Sequence, residues 1–155
     1  MSTQTQFIEH RNEHLHPAVV GASDTVLRVL AVVMLMGLAL DHIVQLVPTF
    51  QTQQLLGVGY LFLIAAVVVV GARLIMGAPS RTSLWAPVAL LGAGAMFAYV
   101  FTRVMSTPLD AQDVGNWACT LGMVALFLEA ALVAISAYAI TKRRRVQRSL
   151  MSFGR

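Results

Sequence analysis

Charge and cysteine are both scarce in this chain. Only 12% of its 155 residues are charged, with seven acids among them, whereas about a quarter are charged in a soluble domain. A soluble globular fold is therefore excluded. The single cysteine, Cys119, excludes an intrachain disulfide and any quinone-linked CxxC chemistry. No glycine-rich phosphate loop, nucleophile elbow or metalloprotease motif occurs, so the common catalytic signatures are missing as well. No basic folded domain exists to hold a nucleic acid, although the formal net charge is +4.

What the chain has instead is apolar length. Apolar residues make up 57% of it, and its mean hydropathy is +0.73. Four runs are long enough to cross a hydrocarbon layer about 30 Å thick at about 1.5 Å per residue: Val26–Val47, Leu55–Met76, Leu84–Met105 and Trp117–Ile140. The expected fold is all-α, a four-transmembrane-helix bundle over residues 26–140. A polar N-terminal tail (1–25) and a basic C-terminal tail (141–155) flank it, leaving no length for a separate soluble domain. The tail of residues 1–25 lacks the charged start and short apolar core of a signal peptide, so no cleavage is expected.

The cations set the expected orientation. With both termini cytoplasmic, Arg103 is the sole exterior cation, and the run Lys142-Arg143-Arg144-Arg145 lies inside, as the positive-inside bias requires. This places the protein in the cytoplasmic (inner) membrane as a multi-pass chain. Its basic tail would lie against anionic lipid, gaining about 1 kcal/mol per cation.

The fourth run organises the rest because it carries one ionisable residue, Glu129, near its middle. Inserting a central acid costs about 3 kcal/mol, and the nine Leu, Ile, Val and Phe residues of this run return about 3–5 kcal/mol. The run can therefore insert, but the carboxyl must be neutral, paired or hydrated. Ala118, Gly122 and Ala125 lie on or near its stripe, so Glu129 is expected to point inward, with His42 or a backbone carbonyl as a candidate partner. Intramembrane acids serve proton and ion pathways, but a hydrogen-bonding clamp between helices fits equally.

A second polar set belongs at the outer end. Asp41 and Gln45 are four apart in the first run and His42 lies about 100° round the helix from Asp41. Tyr99 and Arg103 share a face of the third, and Asp110, Asp113 and Asn116 sit in the connection that follows. A cation at that depth is held most cheaply by Asp41, Asp110 or Asp113. The cluster reads either as a structural clamp or as an entrance for a ligand or ion.

Ser23-Asp24 has the composition of an N-cap for the first run. The connection Pro48–Gln54 is expected to be an outer loop, and Trp85 to sit at the interface. His10, His14 and His16 in the N-terminal tail have spacing compatible with Zn or Cu, alongside the plainer reading of a solvated tail. Haem would need His42 with a methionine such as Met34, Met96, Met105 or Met123, and the eight methionines otherwise read as packing residues. Leu56–Ala66 aligns without gaps to Leu121–Ala131 with seven identities in eleven positions, which suits either two repeated hairpins or chance likeness between apolar segments.

The run Tyr99-Val100-Phe101-Thr102-Arg103, then Pro108, Asp113-Val114-Gly115-Asn116-Trp117 and Glu129, resembles a pattern in uncharacterised four-span bacterial integral membrane proteins. The likeness covers about the C-terminal third, with a weaker echo at Leu40-Asp41-His42. It departs at Thr107, where that family usually has glycine before the proline. The resemblance implies the four-span architecture and no assigned activity. The leading expectation is a non-enzymatic membrane subunit or interaction protein, with a membrane protein partner or a homo-oligomer and no resident cofactor. The rivals are a small proton-coupled carrier using Glu129, and a haem or metal binder at His42.

Overall fold

The structure is a computed structural model that describes residues 3–77, 82–106 and 113–153, with side chains described over 24–77, 83–106 and 113–148. The chain is all-α. In order come α1 (Thr3–Thr52), α2 (Gln54–Met76), a 3-10 turn (Thr82–Leu84), α3 (Trp85–Val104) and α4 (Thr120–Phe153). Each α-helix contains a stretch long and apolar enough to cross a membrane. Helices suit such sequences because every backbone polar group is satisfied within the segment, with no water needed.

Several boundaries differ from those the sequence suggests. Asp24 caps nothing, because α1 runs unbroken from Thr3 through residues 24 and 48 to Thr52. Pro48 removes one helical N–H without ending the helix, and the anticipated outer loop shrinks to one residue, Gln53, whose extended backbone (φ −146°) makes the corner. The fourth helix starts three residues later than expected, at Thr120, and continues through the basic tail to Phe153. Before it, Gly115 takes a positive φ of 79°, a conformation glycine adopts at no steric cost. Its N–H donates to the Arg103 carbonyl at 2.9 Å, tying the turn back to the end of α3.

The packing order is α2–α1–α4–α3. Ala31, Leu35 and Leu38 of α1 and Leu132 and Ala139 of α4 are almost fully buried, and Gly37 of α1 lies against Leu128 of α4. Each central helix then carries one outer helix. Gly71 of α2 faces Leu35, and Gly92 of α3 sits on α4, where an added Cβ would lie 2.9 Å from the Glu129 carbonyl oxygen. The outer helices, α2 and α3, touch each other far less than any of these pairs. Large side chains such as Phe62, Leu90 and Phe97 are more than two-thirds exposed, an amount of bare apolar surface that a water-soluble monomer rarely carries.

Asp24, Gly77 and Arg143 share one end of the bundle, the tail end; Gln53, Met105 and Gly115 share the other, the loop end. At the tail end Asp24 accepts from Arg28 Nε at 3.0 Å and from Arg143. Arg28 Nη1 also donates to the carbonyls of Leu74 (3.1 Å) and Gly77 (2.6 Å) at the C-terminus of α2, where a cation meets the negative end of the helix dipole. One carboxylate thus fastens α1, α2 and α4. Asp24→Ala is expected to cost about 1–3 kcal/mol, measured as a lowered unfolding midpoint of the detergent-solubilised protein. Trp85, the first residue of α3, is completely buried in this part of the core.

Candidate functional site

The polar residues singled out from the sequence fall into three groups along the bundle. The first is a staple at the loop end. Arg103, 7% exposed, reaches Asp113 at 3.4 Å and donates to Thr102 Oγ1 at 3.3 Å. Its guanidinium lies 4.6 Å from the centre of the Tyr99 ring, as the four-residue spacing of Tyr99 and Arg103 allows, and such stacking adds attraction between cation and ring face. Asn116 donates to Asp113 Oδ1 at 3.0 Å, and Trp117 packs edge-on against Tyr99 at 6.4 Å. Of the three acids expected near Arg103, Asp113 is thus one that pairs with it; Asp110 lies outside the described residues.

The second group belongs to α1. Gln45 Nε2 donates to Asp41 Oδ2 at 2.7 Å, one turn apart. His42 Nδ1 bonds the Leu38 carbonyl at 2.9 Å, and the ring stands edge-on to Tyr60 of α2 at 4.8 Å. Asp41 and His42 are both buried, and Asp41 Oδ1 has no hydrogen-bond partner among the described residues.

Glu129 forms the third. It points inward, as its stripe of Gly122 and Ala125 suggests, and is 2% exposed. Ala118, placed on that stripe too, precedes the helix and is exposed. Neither candidate partner reaches the carboxyl: His42 is engaged by the Leu38 carbonyl, and Glu129 Oε2 has no hydrogen-bond partner among the described residues. Asp41 is near enough for the two carboxyls to repel each other when both are ionised.

These groups meet in a feature that the sequence did not disclose. Because α2 and α3 stay apart, a cleft of about 600 Å³ opens between them, floored by α1 and α4. Leu56 to Val70 form one wall and Pro87 to Arg103 the other, and His42, Gln45, Gly122, Ala125 and Glu129 lie along the floor. At about 1.5 Å per residue the α2 wall is about 21 Å long. Both walls are smooth: Gly59 and Gly94 have nothing within 4 Å of where a side chain would begin. The Tyr99 hydroxyl has no hydrogen-bond partner among the described residues either. A smaller recess of about 360 Å³, lined by Arg73, Ser83 and Leu84 among others, adjoins the cleft through Val70 and Pro87.

No group of three or more His, Cys, Asp or Glu side chains suited to a metal occurs among the described residues; the side chains of His10, His14 and His16 lie outside them. The contacts of Asp24 with Arg28 and Arg143, and the burial of Thr102 and Ser136, are what sequence reasoning did not anticipate at these positions. Only Ser136, seven residues after Glu129, carried a periodic signal. Family models, curated proteins and solved structures were all compared with the chain, and none matches.

Proposed function

We propose that this is a non-enzymatic interaction protein of the cytoplasmic membrane, with both tails inside and its basic C-terminal segment against anionic lipid, and that it takes a membrane-soluble guest of small-molecule size into the α2/α3 cleft. The observation that carries this reading is the cleft itself, open along one side of the bundle, with Gly59 on one wall and Gly94 on the other facing empty space. Its volume of about 600 Å³ is within the usual range of small-molecule sites, about 300–1,000 Å³. The mixture is also that of a ligand site, mostly apolar with a few placed polar groups: Tyr99, Thr102, Arg103, Gln45, His42 and Glu129.

The test is to fill the cleft without disturbing the bundle. Gly59→Leu combined with Gly94→Leu puts side chains into open space, so the unfolding midpoint should shift by no more than about 0.5 kcal/mol equivalent. Native mass spectrometry of protein released from its own membranes should show a bound small molecule on the wild type and none on the filled variant. An unchanged adduct on the filled variant would refute the cleft as the binding place. Loss of a polypeptide rather than a small molecule would refute the guest's size class.

A further inference from the structure

The floor of the cleft has a charge pattern that narrows the guest, given that the cleft is a small-guest site as proposed above. Glu129 is 98% buried, lines the cleft, and leaves Oε2 without a hydrogen-bond partner among the described residues. No positive group stands at its level. Gly92 packs on the Glu129 carbonyl, so Arg103, eleven residues further along α3, is about 16 Å away along the bundle axis and is paired with Asp113. Arg73 faces the adjoining recess and does not line the cleft. A neighbouring acid adds negative charge instead: Gly37 packs beside Leu128, which sets Asp41, just behind the cleft floor, about 7–8 Å along the axis from the level of Glu129. Asp41 also keeps an oxygen unpartnered among the described residues. The aromatic rings of Tyr60, Phe62 and Tyr99 line the walls around this acidic floor.

We infer that the α2/α3 cleft binds a lipophilic cation, an apolar body bearing one positive charge, with that charge set against the Glu129 carboxylate. An anion at this level would meet the Glu129 carboxyl, with the Arg103 cation well away at the loop end of the cleft. A neutral apolar guest would leave the buried carboxyl to take up a proton and would gain nothing from it. A cation answers it in surroundings of low dielectric, where the attraction is strongest, and the aromatic walls present ring faces that also favour positive charge. The apolar body then covers the aliphatic lining from Leu63 to Val70 and Leu90 to Ala98.

Tetraphenylphosphonium is a suitable probe, and triphenylphosphine oxide serves as a neutral comparison with three of the same rings. Both would be titrated calorimetrically into the full chain in phosphatidylcholine nanodiscs. The wild type should bind tetraphenylphosphonium. Glu129→Gln, close in shape, should weaken it about thirtyfold or more while leaving the unfolding midpoint in place, and Glu129→Asp, which keeps the charge, should recover most of the affinity. The neutral oxide should bind weakly, with no difference between wild type and Glu129→Gln. Equal phosphonium affinity in wild type and Glu129→Gln overturns the inference, as does tighter binding of the oxide than of the cation; both leave the cleft as a small-guest site. If neither probe binds the wild type, the inference falls, and an unchanged adduct in the filled Gly59/Gly94 variant would show that the cleft reading had failed with it.

Discussion

Gly92→Val is expected to lower the unfolding free energy of the bundle by about 3 kcal/mol, at the upper end of overpacking costs. At position 92 a Cβ would lie 2.9 Å from the Glu129 carbonyl oxygen, 3.2 Å from Val133 Cγ2 and 3.3 Å from Leu132 Cβ. A flexible side-chain tip could move aside, but a backbone oxygen inside a helix can only move with its helix. The two branches of valine would add further contacts to an already closed gap, so α3 must lift from α4. That separation would also shift Glu129, whose backbone is the point of contact, and so change the floor of the cleft. The control is Gly94→Val, two residues away and facing open space, which should cost less than about 0.5 kcal/mol. Unfolding in mixed micelles with increasing dodecyl sulfate, followed by circular dichroism, measures both. Equal midpoints for the two variants would show that α3 and α4 do not meet closely at Gly92.

This contrast between Gly92 and Gly94 marks how far the sequence could be read. Gly92-Ala93-Gly94-Ala95 is visibly a smooth patch, yet composition does not tell which glycine meets a helix and which meets empty space. The number of long apolar helices and the limits of α2 and α3 followed from run length alone, because apolar residues end where polar ones begin. The pairs Asp41–Gln45 and Tyr99–Arg103 followed from helical spacing. Pro48 misled because proline is a boundary signal for helices in water, whereas α1 tolerates the loss of one N–H and turns only at Gln53. Asp24 misled for another reason: its partner Arg143 lies 119 residues away, and no local pattern records such a contact. The cleft was invisible for a similar cause, since an aliphatic wall has one composition whether a helix, a lipid or a guest lies against it. The eleven-residue likeness between α2 and α4 acquires some physical content in three dimensions. Gly57 faces Phe50 of the preceding helix, and Gly122, its counterpart, faces Tyr99 of the helix before its own. The counterpart of Glu129 is Ile64, on an outer helix, so any repeat carries its acid in one half only.

Arg103→Leu is expected to destabilise the loop end by about 1–3 kcal/mol. The upper figure for breaking a buried ion pair, about 3–5 kcal/mol, is reduced here because Asp113 is a third exposed and can take water in exchange. The arginine makes several contacts at once: it meets the Asp113 carboxylate, the Thr102 hydroxyl and the Tyr99 ring. Its backbone carbonyl additionally receives the Gly115 N–H, a bond that leucine would keep, so the turn should loosen without coming apart. Arg103→Lys separates charge from shape. Lysine supplies the positive charge for Asp113 but lacks the planar fork that reaches Thr102 and stacks on Tyr99, so it should recover less than half of the loss. Because Tyr99 also fills the space beside Gly122, its freed ring should move in the leucine variant, and Trp117, packed edge-on against it, should report that movement as a change in fluorescence. Trp85, fully buried at the tail end, supplies a constant background that Trp85→Phe would remove. Unchanged stability and unchanged Trp117 emission in Arg103→Leu would mean that α3 and the turn into α4 are held together by the backbone alone, and that the arginine is there to meet something that enters the cleft from the loop end.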